Sequence, residues 1–156
     1  MSNQKNYKEH SENNCPDLKQ FNLDVVYLRM AKEWSKNSHC QRSQVGCLVV
    51  KNKTIISDGY NGTPTGFPNI CEDLENNTLA SVLHAEANAI TKLAMNTVSS
   101  HGSTMYITLS PCFDCSKLII QSGIKRIVFS ELYRRIESLD LLSQAGIEIV
   151  YINLQH

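Results

Sequence analysis

The stretch MYITLSPCFDCSKLIIQSGIK, residues 105–125, contains the pattern that decides the fold. An apolar run typical of a strand is followed by Pro111, which begins a helix, and by Gly123, which ends it. The same alternation continues along the chain, with a strand at 124–129, a helix at 137–145 and a strand at 147–152. Because strands separated by single helices pair in parallel through right-handed crossovers, this half predicts a parallel sheet with covering helices.

The first half of the chain predicts a hairpin between two further helices. Apolar residues recur at helical spacing from Phe21 onward, and a second helix is predicted over 83–96. Between them lie two short strands, 45–50 and 54–57, followed by a structured loop rich in glycine and proline at 59–69. The element order α-β-β-α-β-α-β-α-β therefore predicts an α/β fold with a mixed sheet and helices on both of its faces.

The composition favours one globular domain that acts on a small molecule. The 156 residues are 42% apolar and 19% charged, and the 15 basic residues balance the 15 acidic ones. Nucleic-acid binders usually carry a basic excess, so no nucleic-acid partner is expected. Residues 1–19 are polar and lack periodicity, which predicts a mobile tail before a single domain over 20–156.

The distribution of apolar residues and cysteines favours a cytoplasmic protein. The first twenty residues contain no apolar run typical of a signal peptide, and no run approaches the length of a membrane span. A small secreted chain with six cysteines would predict disulfides. In the cytoplasm the same cysteines are expected to stay reduced and to serve as metal ligands or free thiols.

Two short strings carry the chemistry of a metal site. HAE at 84–86 and PCFDC at 111–115 each fall at the start of a predicted helix, after an extended segment. Cys112 and Cys115 share one face of the first helical turn, where free N–H groups and the helix dipole favour thiolates. Together with the imidazole of His84 they form a donor set suited to Zn²⁺, and three protein ligands leave a fourth position open.

Glu86 adds a carboxylate at the same helix start as His84. Zinc lowers the pKa of coordinated water toward ~7, and a neighbouring carboxylate can move the protons of a hydrolytic addition. H-x-E with P-C-x-x-C is the signature of zinc deaminases, in which the glutamate is the general acid and base and not a ligand. Two other interpretations stay open, namely a closed zinc site with Glu86 as fourth ligand, and a redox CxxC beside an unrelated histidine.

These strings and their surroundings resemble the deoxycytidylate (dCMP) deaminase branch of the cytidine deaminase superfamily. The resemblance extends from Tyr27 to Ile152. It includes the stretch at 105–125 quoted above, together with SQVGC at 43–47, IISDGYNGTPTG at 55–66, HAEANAI at 84–90 and AGIEI at 145–149. It implies a three-layer α/β/α cytidine deaminase-like fold with a central five-stranded mixed sheet. It also implies zinc-dependent hydrolysis of dCMP to dUMP with release of ammonia.

The resemblance further implies roles for individual residues and for partners. His84, Cys112 and Cys115 would be the zinc ligands, and Glu86 the proton shuttle. Contacts to the nucleotide are implied for the Asn61 side chain, the backbone N–H of Ala85 and the backbone carbonyl of Ser110. Many family members are hexamers regulated by dCTP and dTTP, so a homo-oligomer with these effectors is implied.

The motifs do not identify the residue that binds the phosphate, and they do not decide whether a second metal is bound. A nucleotide phosphate needs charge-assisted donors, for which the candidates are Arg42, Lys117, Arg134 and Arg135. Tyr133 follows a strand on the side expected to face the site, and it is ranked above the arginines as a substrate contact. Cys40 and Cys71 stand where some family members hold a second, structural zinc. Tetrahedral coordination there would need His39, Cys15 or a carboxylate in addition.

Two other functions are compatible with the same motifs. One is a tRNA adenosine deaminase or other nucleobase deaminase, and the neutral net charge argues against a nucleic-acid substrate. The other is a non-catalytic zinc-binding accessory protein. The presence of Glu86 argues against this second function, because a protein without catalysis gains nothing from an acid/base residue beside the ligand set.

Overall fold

The computed structural model of the protein describes residues 5–155 and contains six strands and four helices. Their bounds in chain order are β1 Lys8–Glu9, α1 Leu18–Ser35, β2 Gly46–Lys51, β3 Thr54–Tyr60, α2 Ala85–Leu93, β4 Thr104–Leu109, α3 Phe113–Gln121, β5 Arg126–Glu131, α4 Glu137–Gln144 and β6 Glu148–Tyr151. Among the described residues, none of the helices is long and apolar enough to cross a membrane.

All strands belong to one mixed sheet in the order β1-β6-β5-β4-β2-β3. The pairs β4–β5, β5–β6 and β1–β6 are parallel, whereas β2 is antiparallel to both β3 and β4. The prediction of a mixed sheet built from a hairpin and parallel crossovers is confirmed. The predicted count of five strands was wrong by one, because β1 adds a sixth strand at the edge.

The additional strand lies inside the segment that the sequence predicts to be a mobile tail. Lys8 and Glu9 pair with Val150 and Tyr151 of β6, and the Tyr7 ring packs edge-on against Phe129 and Tyr151. Two residues are too few to show strand periodicity in a sequence. The strand is therefore apparent only from its pairing with β6 at the edge of the sheet. Predictions for residues 1–4 and 156 lie outside the described residues. The division into a tail and one domain stays a prediction.

Strand alternation separates two apolar cores on opposite faces of the sheet. On β2, Cys47 and Val49 face the core shared with α2, α3 and α4, whereas Leu48 and Val50 face the core beneath α1. Buried side chains of β4 and β5 alternate in the same way. One helix on one face and three on the other give the three-layer α/β/α arrangement that the family resemblance implies.

Two glycines let the helices touch the sheet backbone. A Cβ atom on Gly46 would lie 2.0 Å from the carbonyl oxygen of Ala31 in α1. On the opposite face, a Cβ on Gly59 would lie 2.2 Å from the carbonyl oxygen of Ala85 in α2. Since real Cβ atoms do not approach backbone so closely, Gly59 sets how deeply the first turn of α2 lies against β3. That turn follows His84 directly and carries Glu86.

Candidate active site and metal centre

Two helix starts meet at the carboxyl end of β4 and carry the residues that the sequence predicts for the metal. His84 is the extended residue immediately before α2, and Cys112 is the corresponding residue before α3. The Cys112 sulfur accepts a hydrogen bond of 3.4 Å from the backbone N–H of Cys115, so it also caps the helix. Pro111 precedes this cap, where the chain leaves its extended conformation to begin the helix.

The three donor atoms are spaced for one tetrahedral ion. His84 Nδ1 lies 3.4 Å from the Cys112 Sγ and 3.5 Å from the Cys115 Sγ. Zinc bonds of ~2.0 Å to nitrogen and ~2.3 Å to sulfur place tetrahedral N and S donors about 3.5 Å apart. Across residues 5–155, this is the one group of histidine, cysteine and acidic side chains found close enough together to hold an ion. The donor set and its spacing therefore fit Zn²⁺.

The two thiols and the imidazole shift one another's pKa values in different directions. Hydrogen bonds from the Cys115 thiol and from His84 lower the pKa of Cys112 to about 4. The hydrogen bond to the Cys112 thiolate, together with burial, raises the pKa of Cys115. The contact with Cys112 raises the pKa of His84 as well. Zinc replaces these protons when it binds, so its uptake should release protons and weaken at low pH.

Glu86 lies beside these ligands, buried at 4% exposure and lining the same cleft. Two residues along a helix would normally point His84 and Glu86 in different directions, about 200° apart. The backbone resolves this, because His84 is still extended (φ −72°, ψ 157°) and only Ala85 begins the helix. Burial raises the pKa of Glu86 to about 7. The carboxyl group is therefore placed to exchange protons with a molecule bound in the cleft.

A cleft of about 420 Å³ opens in front of these residues, and this volume suits a small molecule. Of the positions predicted to contact substrate, it is lined by Asn61, Ala85, Ser110 and Tyr133. Arg42 and Arg134 also line it, whereas Lys117 and Arg135 are not among its lining residues. Lys117 instead pairs with Asp114 at 2.7 Å on the exposed side of α3.

Two predicted substrate residues also shape the walls of this cleft. Asn61 Oδ1 accepts from the backbone N–H of Val45, and its Nδ2 donates to the carbonyl of Ser43, each at 2.8 Å. Ser110 Oγ accepts from the backbone N–H of Tyr133 at 2.7 Å. Asn61 therefore fixes the segment before β2, and Ser110 fixes the loop after β5 that carries Tyr133.

Two residues of this wall were not predicted in their observed roles. Cys40, which lines the cleft, forms a disulfide with Cys71, and the Glu72 carboxylate binds the backbone N–H groups of Gln41 and Arg42. The expectation of reduced thiols is thus wrong at this pair, and no free sulfur is left there for a second zinc. No local pattern signals a pairing across 31 residues, because it depends on how the loops fold back.

The sequence is similar to a known enzyme family over most of its length. The family model for the cytidine and deoxycytidylate deaminase zinc-binding region matches residues 22–131. Deoxycytidylate deaminase of Enterobacteria phage T4 is 35% identical over an alignment 170 positions long, gaps included, and the alignment covers 81% of this chain and 86% of that protein. Deoxycytidylate deaminase of Saccharomyces cerevisiae is 34% identical over 81% of this chain, which spans 43% of the yeast protein.

Solved structures show the same similarity in three dimensions. The crystal structure of dCMP deaminase from cyanophage S-TIM5 in complex with dCMP and dUMP superimposes with a TM-score of 0.80 at 41% identity. The match covers 88% of this chain and 98% of that one. A diaminohydroxyphosphoribosylaminopyrimidine deaminase/reductase from Thermotoga maritima matches less well, with a TM-score of 0.67 at 26% identity and coverage of 85% and 37%.

Proposed function

Because this chain belongs to the cytidine and deoxycytidylate deaminase family, we propose that it is a zinc-dependent enzyme that hydrolyses dCMP to dUMP and ammonia. One observation carries the proposal: the His84, Cys112 and Cys115 donors and the buried Glu86 lie together at one cleft. The similarity to the cyanophage enzyme crystallised with dCMP and dUMP supports the choice of substrate.

The residues of the site divide the chemistry between them. Held by His84, Cys112 and Cys115, zinc would supply a Lewis acid that lowers the pKa of a water molecule. Glu86 takes one proton from the attacking water and delivers it to the pyrimidine ring nitrogen, and it then moves the second proton, from the newly formed hydroxyl, to the amine, which leaves as ammonia while the ring carbonyl forms. Ala85 and Ser110 both line the cleft, and we propose that the N–H of Ala85 and the carbonyl of Ser110 orient the base by its carbonyl oxygen and its amine. Burial of Glu86 keeps bulk water from competing for its proton.

Arg42 and Arg134 are proposed to bind the phosphate. Both line the cleft, and an arginine offers a phosphate paired charge-assisted hydrogen bonds. Tyr133, which also lines the cleft and is 43% exposed, is proposed to contact the nucleotide. Lys117 and Arg135 are the less favoured candidates, since neither lines the cleft.

A substrate panel tests this function. We expect ammonia release from dCMP to exceed that from deoxycytidine by about 100-fold in kcat/KM, or ~2.7 kcal/mol, because deoxycytidine leaves the phosphate donors unpaired. Arg42→Ala and Arg134→Ala should each weaken turnover of dCMP and leave deoxycytidine nearly unchanged. Arg29→Ala is the matched control, because Arg29 is an exposed arginine of α1 that does not line the cleft. Equal rates on both substrates in the wild-type protein would move the proposed substrate from the nucleotide to the nucleoside.

Three expectations about regulation, assembly and location stay predictions from the sequence. dCTP and dTTP are the proposed effectors, and their addition to the dCMP assay should activate and inhibit respectively. A homo-oligomer, with a hexamer as the expected size, can be checked by light scattering. The expected cytoplasmic location can be checked by fractionation of cells that produce the protein.

The alternative functions have weaker support. The deaminase/reductase structure from Thermotoga maritima matches at lower identity and TM-score than the dCMP deaminase structure. The panel discriminates between these functions when CMP, guanine and a tRNA anticodon stem are included, because an accessory protein would release ammonia from none of them.

A further inference from the structure

One wall of the cleft has no regular secondary structure of its own. Residues 40–45 form the second part of the connection from α1 to β2, and Arg42 and Ser43 of this segment line the cleft. A segment without a hydrogen-bonded ladder takes its shape from contacts with its neighbours. At the end of the segment that leads into β2, the side-chain amide of Asn61 holds the backbone of Ser43 and Val45 by hydrogen bonds.

At the start of the segment, near Gln41, the side chain of Glu72 holds the backbone. Its Oε1 atom accepts hydrogen bonds from the backbone N–H of Gln41 at 2.9 Å and of Arg42 at 3.1 Å. The guanidinium of Arg42 donates to Thr78 Oγ1 at 3.3 Å. Glu72 and Thr78 are themselves paired in an isolated antiparallel bridge. One pair of residues on the loop before α2 therefore holds both the backbone and the side chain of Arg42.

The charge of Glu72 indicates a supporting role and not a ligand role. A carboxylate on the cleft wall repels a phosphate, so Glu72 cannot be a direct ligand for it. Two backbone N–H groups converge on one of its oxygens, and such charge-assisted bonds are stronger than neutral ones. The disulfide of the preceding residues, Cys40 and Cys71, joins the same two segments.

We propose that Glu72 is a positioning residue that holds Arg42 where the phosphate of the nucleotide binds. The proposal rests on the function proposed above and specifies how its phosphate site is assembled. An arginine on an unsupported loop would lose conformational entropy each time it bound an anion, and a prearranged backbone removes part of that cost. Glu72 thus acts on the substrate through Arg42.

Replacement of Glu72 distinguishes a role in positioning Arg42 from a general role in stabilising the fold. Glu72→Ala should raise the KM for dCMP about 10-fold, as for loss of part of a charge-assisted contact, and leave kcat within about twofold. The kcat/KM for deoxycytidine, which has no phosphate, should stay at the wild-type value. Glu72→Gln keeps an oxygen that can accept from both N–H groups, so it should restore most of the affinity for dCMP.

Two further variants complete the design. Glu75→Ala removes an exposed carboxylate from the same loop and is the matched control, expected to behave as wild type. Thr78→Val removes the hydroxyl that accepts from Arg42, and it should raise the KM for dCMP alone. This second variant tests the proposal should Glu72→Ala fail to fold, which circular dichroism would reveal.

A double-mutant cycle decides whether Glu72 acts through Arg42. The double variant Glu72→Ala/Arg42→Ala should bind dCMP no more weakly than Arg42→Ala alone. Additive losses, or equal losses on dCMP and deoxycytidine, would overturn the inference. Failure of the proposed function has a different signature, since the wild-type enzyme would then release no ammonia from dCMP.

Discussion

At the scale of single residues, Glu86 is the most informative position. Glu86→Gln keeps the size and the hydrogen-bonding oxygen of the side chain but removes its ability to carry a proton. We expect kcat to fall by about 10²–10⁴-fold, the usual contribution of general acid–base catalysis. Zinc content, measured by atomic absorption, should match that of the wild-type protein, because the three proposed ligands are untouched.

Glu75→Gln serves as the control for this substitution, since Glu75 is exposed on the loop that precedes α2. Near wild-type turnover by a fully zinc-loaded Glu86→Gln enzyme would contradict the role assigned to the carboxylate. Loss of zinc in that variant would instead favour the closed metal site with Glu86 as fourth ligand.

How far single residues could be predicted depended on whether their partners are close in sequence. The pair Cys112 and Cys115 is visible because both residues lie in one helical turn. His84 and Glu86 were found because they form a short known string with that pair. Glu72 gave no such signal, since its partners are 30 and 31 residues away and are backbone N–H groups, which every residue but proline carries.

At the scale of elements, the metal site joins the starts of α2 and α3, which come from separate parts of the chain. Cys112→Ala or Cys115→Ala should therefore lower both zinc content and the midpoint of thermal unfolding, because metal binding stabilises only the folded chain. Calorimetry with and without a chelator measures this coupling: the chelator should lower the wild-type midpoint and barely shift that of either variant.

Cys15→Ala is the matched control, because Cys15 is a free cysteine outside the metal site. Retention of about one zinc per chain in both ligand variants would show that the ligand assignment is wrong. A chelator effect that persists unchanged in both variants would point to the same conclusion.

The elements themselves were predicted well where a periodic pattern runs for several residues. The strand Thr104–Leu109 has the predicted bounds. The predicted helix over 83–96 is shorter, as Ala85–Leu93, because His84 is extended at its start. The second strand of the hairpin extends beyond the predicted 57 to Tyr60, since Gly59 allows close contact with α2 and does not end the strand there.

At the scale of the whole molecule, the layer order followed from the alternation of strands and helices, whereas the walls of the cleft did not. Right-handed crossovers leave few ways to arrange strands that are separated by single helices. The wall at 40–45 is instead shaped by a disulfide, a carboxylate and an amide from a distant loop. Such contacts leave no periodic pattern in the sequence, so they become apparent only in the folded structure.

The contacts of Gly46 and Gly59 restrict how this sequence can diverge. The two residues lie on adjacent strands, on opposite faces, and each touches a different helix. In a saturation library sorted for protease resistance, we expect glycine alone to be recovered at either position, whereas the exposed Thr54 on the same strand as Gly59 should accept many residues. Frequent alanine at 46 or 59 would contradict this expectation.

In descendants of this chain these two positions should therefore stay glycine, whereas exposed residues that touch neither helix can change. A substitution at one cannot be rescued by a change at the other, because the two contacts involve different helices. Compensation would require a whole helix to move away from the sheet. For α2, that movement would carry His84 away from the Cys112 and Cys115 sulfurs, so substitution of Gly59 should also lower the zinc content.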